Sequence, residues 1–110
     1  MNNLQRNKSI MVALQKCVSV CYDCANACLK ESEVHMLTQC IKLDLDCAEI
    51  CQLTASFLAK ESDFSDQLLK VCVEICTICA AECDKHEHMD HCRKCAEVCR
   101  ECAEVCGVLV

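Results

Sequence analysis

The sequence predicts an all-α fold, an antiparallel up-down-up-down four-helix bundle with a cysteine-lined core, built from a duplicated helical hairpin. Three observations carry this expectation. The chain has no proline, one glycine and three aromatic residues, a composition of helices joined by short turns rather than of strands. Its sixteen cysteines recur at steps of three and four residues, which returns them to one face of a helix. A shift of 55 positions carries Cys17, Cys21, Cys24 and Cys28 onto Cys72, Cys76, Cys79 and Cys83. The same shift carries Cys40, Cys47 and Cys51 onto Cys95, Cys102 and Cys106, leaving only Cys92 and Cys99 opposite Leu37 and Asp44. At 110 residues the chain is expected to form a single domain over 1–110, with pseudo-repeats of about 1–55 and 56–110.

The first helix is expected from about Leu4 to Lys30, where Ile10 and Leu14 begin a stripe that Cys17, Cys21, Cys24 and Cys28 continue. Ser32 then reads as an N-cap for a second helix over about Glu33 to Ala59. That helix has the stripe Leu37, Cys40, Asp44, Cys47, Cys51, Thr54 and Leu58. Lys60-Glu61-Ser62 repeats Lys30-Glu31-Ser32, and Ser62 or Ser65 is expected to cap the third helix. Leu69, Cys72, Cys76, Cys79 and Cys83 form its stripe, with His86 in phase beyond them. A turn near Lys85 to His88 leads to the fourth helix, where Cys92, Cys95, Cys99, Cys102 and Cys106 make a column about 21 Å long. Gly107 reads as the residue past the helix end that adopts the left-handed conformation. Apolar residues off the stripes, among them Val18, Val20, Leu29, Ile41, Leu45, Leu53, Ile78 and Val98, pack the seams and leave a surplus for self-association.

A formal charge of −6 argues against nucleic acid, and no stretch approaches the ~20 apolar residues of a membrane span. The run from Ile10 to Leu14 is too short for the core of a signal peptide. A cytoplasmic protein with reduced thiols is therefore expected, where clustered cysteines point to metal or catalysis. Cysteine as plain packing would leave a void-prone core. Disulfides between neighbours at three or four residues would strain the helix, because their Cβ atoms lie ~5–6 Å apart against the ~3.5–4.5 Å a disulfide needs.

The sulfur-bearing stripes contain no lysine or arginine, so excess thiolate charge has no partner there. A monovalent ion replacing each thiol proton keeps the lumen near neutral, whereas Zn²⁺ on four thiolates buries two negative charges. Soft thiolates at low coordination number select Cu(I). The leading reading is a store or buffer of multiple Cu(I) ions, not an enzyme. A zinc or iron–sulfur protein is the alternative, and a thiol redox protein a third, without the βαβ setting of a thioredoxin-like motif.

The four in-phase C-x3-C-x2-C-x3-C-type stripes cover essentially the whole chain. They resemble the cysteine-rich four-helix-bundle copper storage proteins, specifically the cytosolic bacterial branch. The resemblance implies Cu(I) along the bundle core on thiolates, a histidine-bearing open end, and a homotetramer. Asp44 departs from the pattern by interrupting a stripe, and is expected beside a polar neighbour or water because carboxylate is a poor Cu(I) ligand. In an up-down bundle the first and third turns share one end, bringing together His35, Met36, His86, His88, Met89 and His91. His86 and His88 are expected as ligands there, since their spacing continues the stripes; His35, Met36, Met89 and His91 are candidates for the entrance. Ile10, Leu14, Phe57, Leu58, Phe64, Leu68, Leu69 and Leu109 should plug the other end. Copper donor or acceptor proteins and small thiols are the expected partners.

Overall fold

Periodicity decides the architecture. In the computed structural model, residues 3–108 are described, with side chains from Asn7 onward, and they form four α-helices and one short 3₁₀ turn. The helices are α1 (Asn3–Leu29), α2 (Thr38–Ala59), α3 (Ser65–Asp84) and α4 (Asp90–Gly107), with the 3₁₀ turn at Val34–Met36. Each helix packs against two neighbours around the bundle: α1 against α2 and α4, and α3 against the same pair. The result is a rod of 46 × 21 × 18 Å. Because every stripe faces inward, the buried core is mostly sulfur, with Ile10, Leu14 and Leu69 closing one end and Leu37 near the other. Leu109 lies outside the described residues.

Three local expectations need correction. Ser32 does not cap α2: the chain first makes a 3₁₀ turn, with Met36 N–H donating to Glu33 O at 2.9 Å and Leu37 N–H to Val34 O at 2.9 Å. Burial of Leu37 to 1% exposure anchors that turn, so the helix starts only at Thr38. Neither serine proposed for α3 satisfies its first-turn amides through its side chain. Ser62 Oγ accepts the Phe64 N–H at 3.1 Å, one residue before the helix, and Ser65 donates back to Ser62 O at 2.8 Å. Gly107 is helical with negative φ and takes no left-handed conformation.

The two Lys-Glu-Ser turns also differ, although their sequences match. After α2, Glu61 has φ 54°, its N–H donates to Leu58 O at 3.1 Å, and Ser62 N–H donates to Phe57 O at 3.0 Å. This is a Schellman closure with glutamate where glycine usually sits. Left-handed backbone costs an L-residue about 1–2 kcal/mol, and glycine's extra freedom in the unfolded chain returns about half of that. Glu61→Gly is therefore expected to stabilise the reduced protein by about 1 kcal/mol, measurable as a raised urea midpoint. After α1, by contrast, Lys30 and Glu31 close with 3₁₀-type bonds to Ala27 O and Cys28 O at 3.1 and 3.2 Å. That difference frees Glu31 for another role.

Of the apolar residues off the stripes, Val20, Ala25, Ala48 and Val98 are buried, and Val18, Ile41, Ile50, Val73 and Ile75 are partly buried against the core. Leu29, Leu45, Leu53 and Ile78 remain exposed on α1, α2 and α3. No helix among the described residues is long and apolar enough to cross a membrane.

Candidate metal centre

All sixteen cysteines are free and buried. Each helix contributes its stripe at i,i+3 and i,i+4 spacing, so sulfurs from four helices meet at successive levels along the axis. At the apolar end, Cys51 lies 3.7 Å from both Cys72 and Cys76, and Cys102 lies 3.9 Å from Cys106. In the middle, Cys47 stands 3.5 Å from Cys76 and 3.7 Å from Cys17, while Cys21 is 3.6 Å from Cys99. Toward the first and third turns, Cys40 is 3.6 Å from Cys83, Cys24 is 4.0 Å from Cys28, and Cys28 is 3.9 Å from Cys92. Cys79 and Cys95 occupy the level between, around Asp44.

Groups of four sulfurs with all members within 4.8 Å of one another include these five: Cys17/21/47/99, Cys17/47/51/76, Cys21/79/95/99, Cys24/28/40/92 and Cys51/72/76/102. The first three overlap, and Cys51 and Cys76 link the second to the last. With metal–sulfur bonds of ~2.3 Å, sulfurs sharing one ion in a plane sit about 4.0 Å apart, and a linear pair about 4.6 Å apart. Trigonal sharing therefore needs little movement, and a linear clamp needs a pair to open by roughly 0.6–1.1 Å. Four sulfurs around Zn²⁺ would sit about 3.8 Å apart, so spacing alone does not separate the metals. Sharing bears on capacity: no more than three of these five groups, such as Cys21/79/95/99, Cys24/28/40/92 and Cys51/72/76/102, can be filled without a common thiolate, so loading more ions onto them needs bridging.

Asp44 sits in the column, fully buried, and its neighbours are thiols rather than the polar group or water expected. Cys79 and Cys95 donate to Oδ1 at 3.3 Å each, Cys83 at 3.6 Å, and Cys40 Sγ lies 3.9 Å from Oδ2. Burial above all pushes the carboxyl up to about 11. It is a neutral acid in the metal-free protein. Burial likewise pushes the Cys28 thiol up to about 12 and raises Cys92, with the charge of Cys40 adding to both. Thr54, in the α2 stripe, turns away from the chemistry and donates to Ile50 O at 2.7 Å.

The mouth is arranged differently from the expectation. His91, ranked with the lesser candidates, has Nδ1 3.5 Å from Cys92 Sγ, 3.7 Å from Cys24 and 3.8 Å from Cys28. Its other nitrogen, Nε2, lies 2.9 Å from Glu31 Oε2. His86 instead turns to Glu82, Nε2 to Oε2 3.4 Å, and His88 is exposed. The phase argument for His88 fails because α4 begins only at Asp90, leaving residue 88 in the turn; α3 likewise stops at Asp84, two residues before His86. His35 is exposed, 3.6 Å from Glu33, and Met36 is 65% exposed; Met89 is half-buried against the core. Glu31 was missed altogether. Nothing in a surface glutamate at a helix end signals it, since its partner is 60 residues away.

Free thiols in continuous contact along the axis of four helices define a thiol-lined bundle suited to several soft metal ions. The comparisons with known proteins agree. The copper storage protein family model matches residues 3–110, and the chain belongs to that family. It is 40% identical over 93 residues to the uncharacterized cysteine-rich protein YhjQ of Bacillus subtilis, covering 84% of this chain and 85% of that protein. Among solved structures, a cytosolic copper storage protein from Streptomyces lividans with five coppers superposes with TM-score 0.92 at 36% identity, covering 96% of this chain and 92% of the other. The Cu(I)-bound copper storage protein BsCsp3 superposes with TM-score 0.90 at 38% identity, covering 94% and 97%.

Proposed function

We propose that this chain is a cytosolic Cu(I) storage and buffering protein that loads many ions onto the thiols of its core, as a single four-helix domain without catalytic activity. The observation that carries this reading is the overlap of the four-sulfur groups, which makes bridging thiolates the natural mode of loading. The ligand set proposed is the sixteen cysteines, with His91 at the mouth; His86, His88, His35, Met36 and Met89 stand around it as weaker contacts for an arriving ion. Copper passes in and out at this end, to donor and acceptor proteins or small thiols, because imidazole and thioether bind Cu(I) without first losing a proton. The opposite end is closed beyond its last cysteines by Ile10, Leu14 and Leu69, fully buried side chains that offer no metal-ligating atom. The exposed Leu29, Leu45, Leu53 and Ile78 support self-association, as a tetramer in keeping with the family resemblance.

Anaerobic titration of reduced protein with Cu(I), competed by a Cu(I)-specific chelator, tests the reading. Two private thiolates per ion would allow about eight, and sharing raises capacity toward roughly one per cysteine. More than about eight ions retained against the chelator is the expected result. Saturation at one or two, or Zn²⁺ held more tightly than Cu(I), would overturn storage in favour of the zinc alternative.

A further inference from the structure

His91 faces two kinds of neighbour. One ring nitrogen looks into the column, with three thiols within 3.8 Å of Nδ1; the other looks outward to a carboxylate, with Nε2 2.9 Å from Glu31 Oε2. A neutral imidazole has one N–H and one lone pair, and their assignment decides what each side meets. A lone pair on Nε2 would oppose the acceptor oxygen of Glu31 at hydrogen-bond distance, and the proton would then block Nδ1. With the proton on Nε2, the Glu31 bond is made and the Nδ1 lone pair points at Cys24, Cys28 and Cys92. The carboxylate thus selects which face of the ring a soft cation meets.

Glu31 can do this because of its backbone. It closes α1 in a 3₁₀-type turn with its N–H on Cys28 O, and the side chain then reaches across the mouth to the start of α4. The matching glutamate of the second Lys-Glu-Ser turn, Glu61, adopts left-handed backbone at the far end of the bundle, where there is no histidine. Glu31 is about one-third exposed, so its loss leaves no buried orphan and the variant should fold.

We propose that Glu31 is a positioning residue: it fixes the Nε2–H tautomer of His91 and so presents the Nδ1 lone pair to the first thiols, which sets the rate at which Cu(I) crosses the mouth. The proposal rests on the copper reading, but its first test does not need copper. In metal-free, reduced protein at alkaline pH, long-range proton–nitrogen spectra of the histidine rings report which nitrogen of His91 carries the proton. Wild type should show it on Nε2, Glu31→Ala should show a mixture or the Nδ1–H form, and Glu31→Gln, whose amide oxygen still accepts, should restore Nε2–H. In the second arm, Cu(I) uptake and chelator-driven removal should both slow about tenfold in Glu31→Ala, the low end for losing the outer partner of a metal-binding histidine. They should recover in Glu31→Gln, with total capacity unchanged in both variants. An Nδ1–H tautomer in wild type overturns the proposal, as does Glu31→Ala with the tautomer unmoved or with wild-type rates. Failure of wild type to retain Cu(I) while the ring still carries its proton on Nε2 would overturn the storage reading, and with it the rate-setting role, but not the tautomer assignment.

Discussion

Asp44→Asn should stabilise the metal-free, reduced protein by about 3 kcal/mol at neutral pH. The folded carboxyl is raised from 3.8 to about 11, chiefly by burial, so the folded chain keeps its proton while the unfolded chain gives it up. Below about pH 4 both states are protonated and the stability associated with this group is fully present. As pH rises, the unfolded state releases its proton first, and stability falls by about 1.4 kcal/mol per unit until the folded group ionises as well. Linkage alone gives about 4 kcal/mol at neutral pH; placing an amide N–H against sulfur offsets part of it. Urea unfolding of both proteins as a function of pH is the check. Near pH 4 only the amide's cost of about 1 kcal/mol should remain, so the difference should change sign between about pH 4 and 5 and then grow steadily in favour of Asn. A constant difference, or one of opposite slope, would mean that the carboxyl is ionised in the folded state.

The second large effect lies at the opposite end. Leu14 is fully buried, grouped with Ile10 and Leu69 where the sulfur column stops. Leu14→Ala removes buried methyl groups and leaves a cavity in a rod with little other hydrocarbon core, at a cost of about 3 kcal/mol. Leu58, only partly buried, should cost less on truncation. Because neither residue carries a metal ligand, Cu(I) capacity and exchange rates should stay near wild type while the urea midpoint falls. Faster copper exchange in Leu14→Ala, with rates at the histidine end unaffected by mutation there, would show that ions pass through the apolar end.

The stripes were legible because a helix repeats: once Cys92, Cys95, Cys99, Cys102 and Cys106 share one face, their burial follows from the bundle. The duplication made the second half check the first. The helix ends were less legible. A serine before a glutamate looks like a cap, but the buried side chain of Leu37 fixes the turn, and tertiary packing overrides local capping there. Matching Lys-Glu-Ser tripeptides gave two different turns for the same reason. The mouth was least legible of all. His91 directly precedes Cys92 and so lies off the stripe, and only the approach of α1 to α4 brings it over Cys24 and Cys28. His86 and His88 had the better spacing, yet that argument assumed helix where the chain makes a turn. Asp44 stood out as an interruption, but its setting among four thiols depends on α3 and α4 as much as on α2.

The central claim is that ions occupy the length of the thiol column. Anomalous diffraction at the copper edge, from crystals of reduced protein loaded anaerobically with excess Cu(I), tests it most directly. The account predicts a row of peaks along the bundle axis, each bonded to two or more Sγ atoms, running from Cys24, Cys28 and Cys92 beneath His91 to Cys102 and Cys106 at the apolar end. Copper confined to surface histidines, or a single occupied site with the remaining thiols in their metal-free contacts, would contradict it.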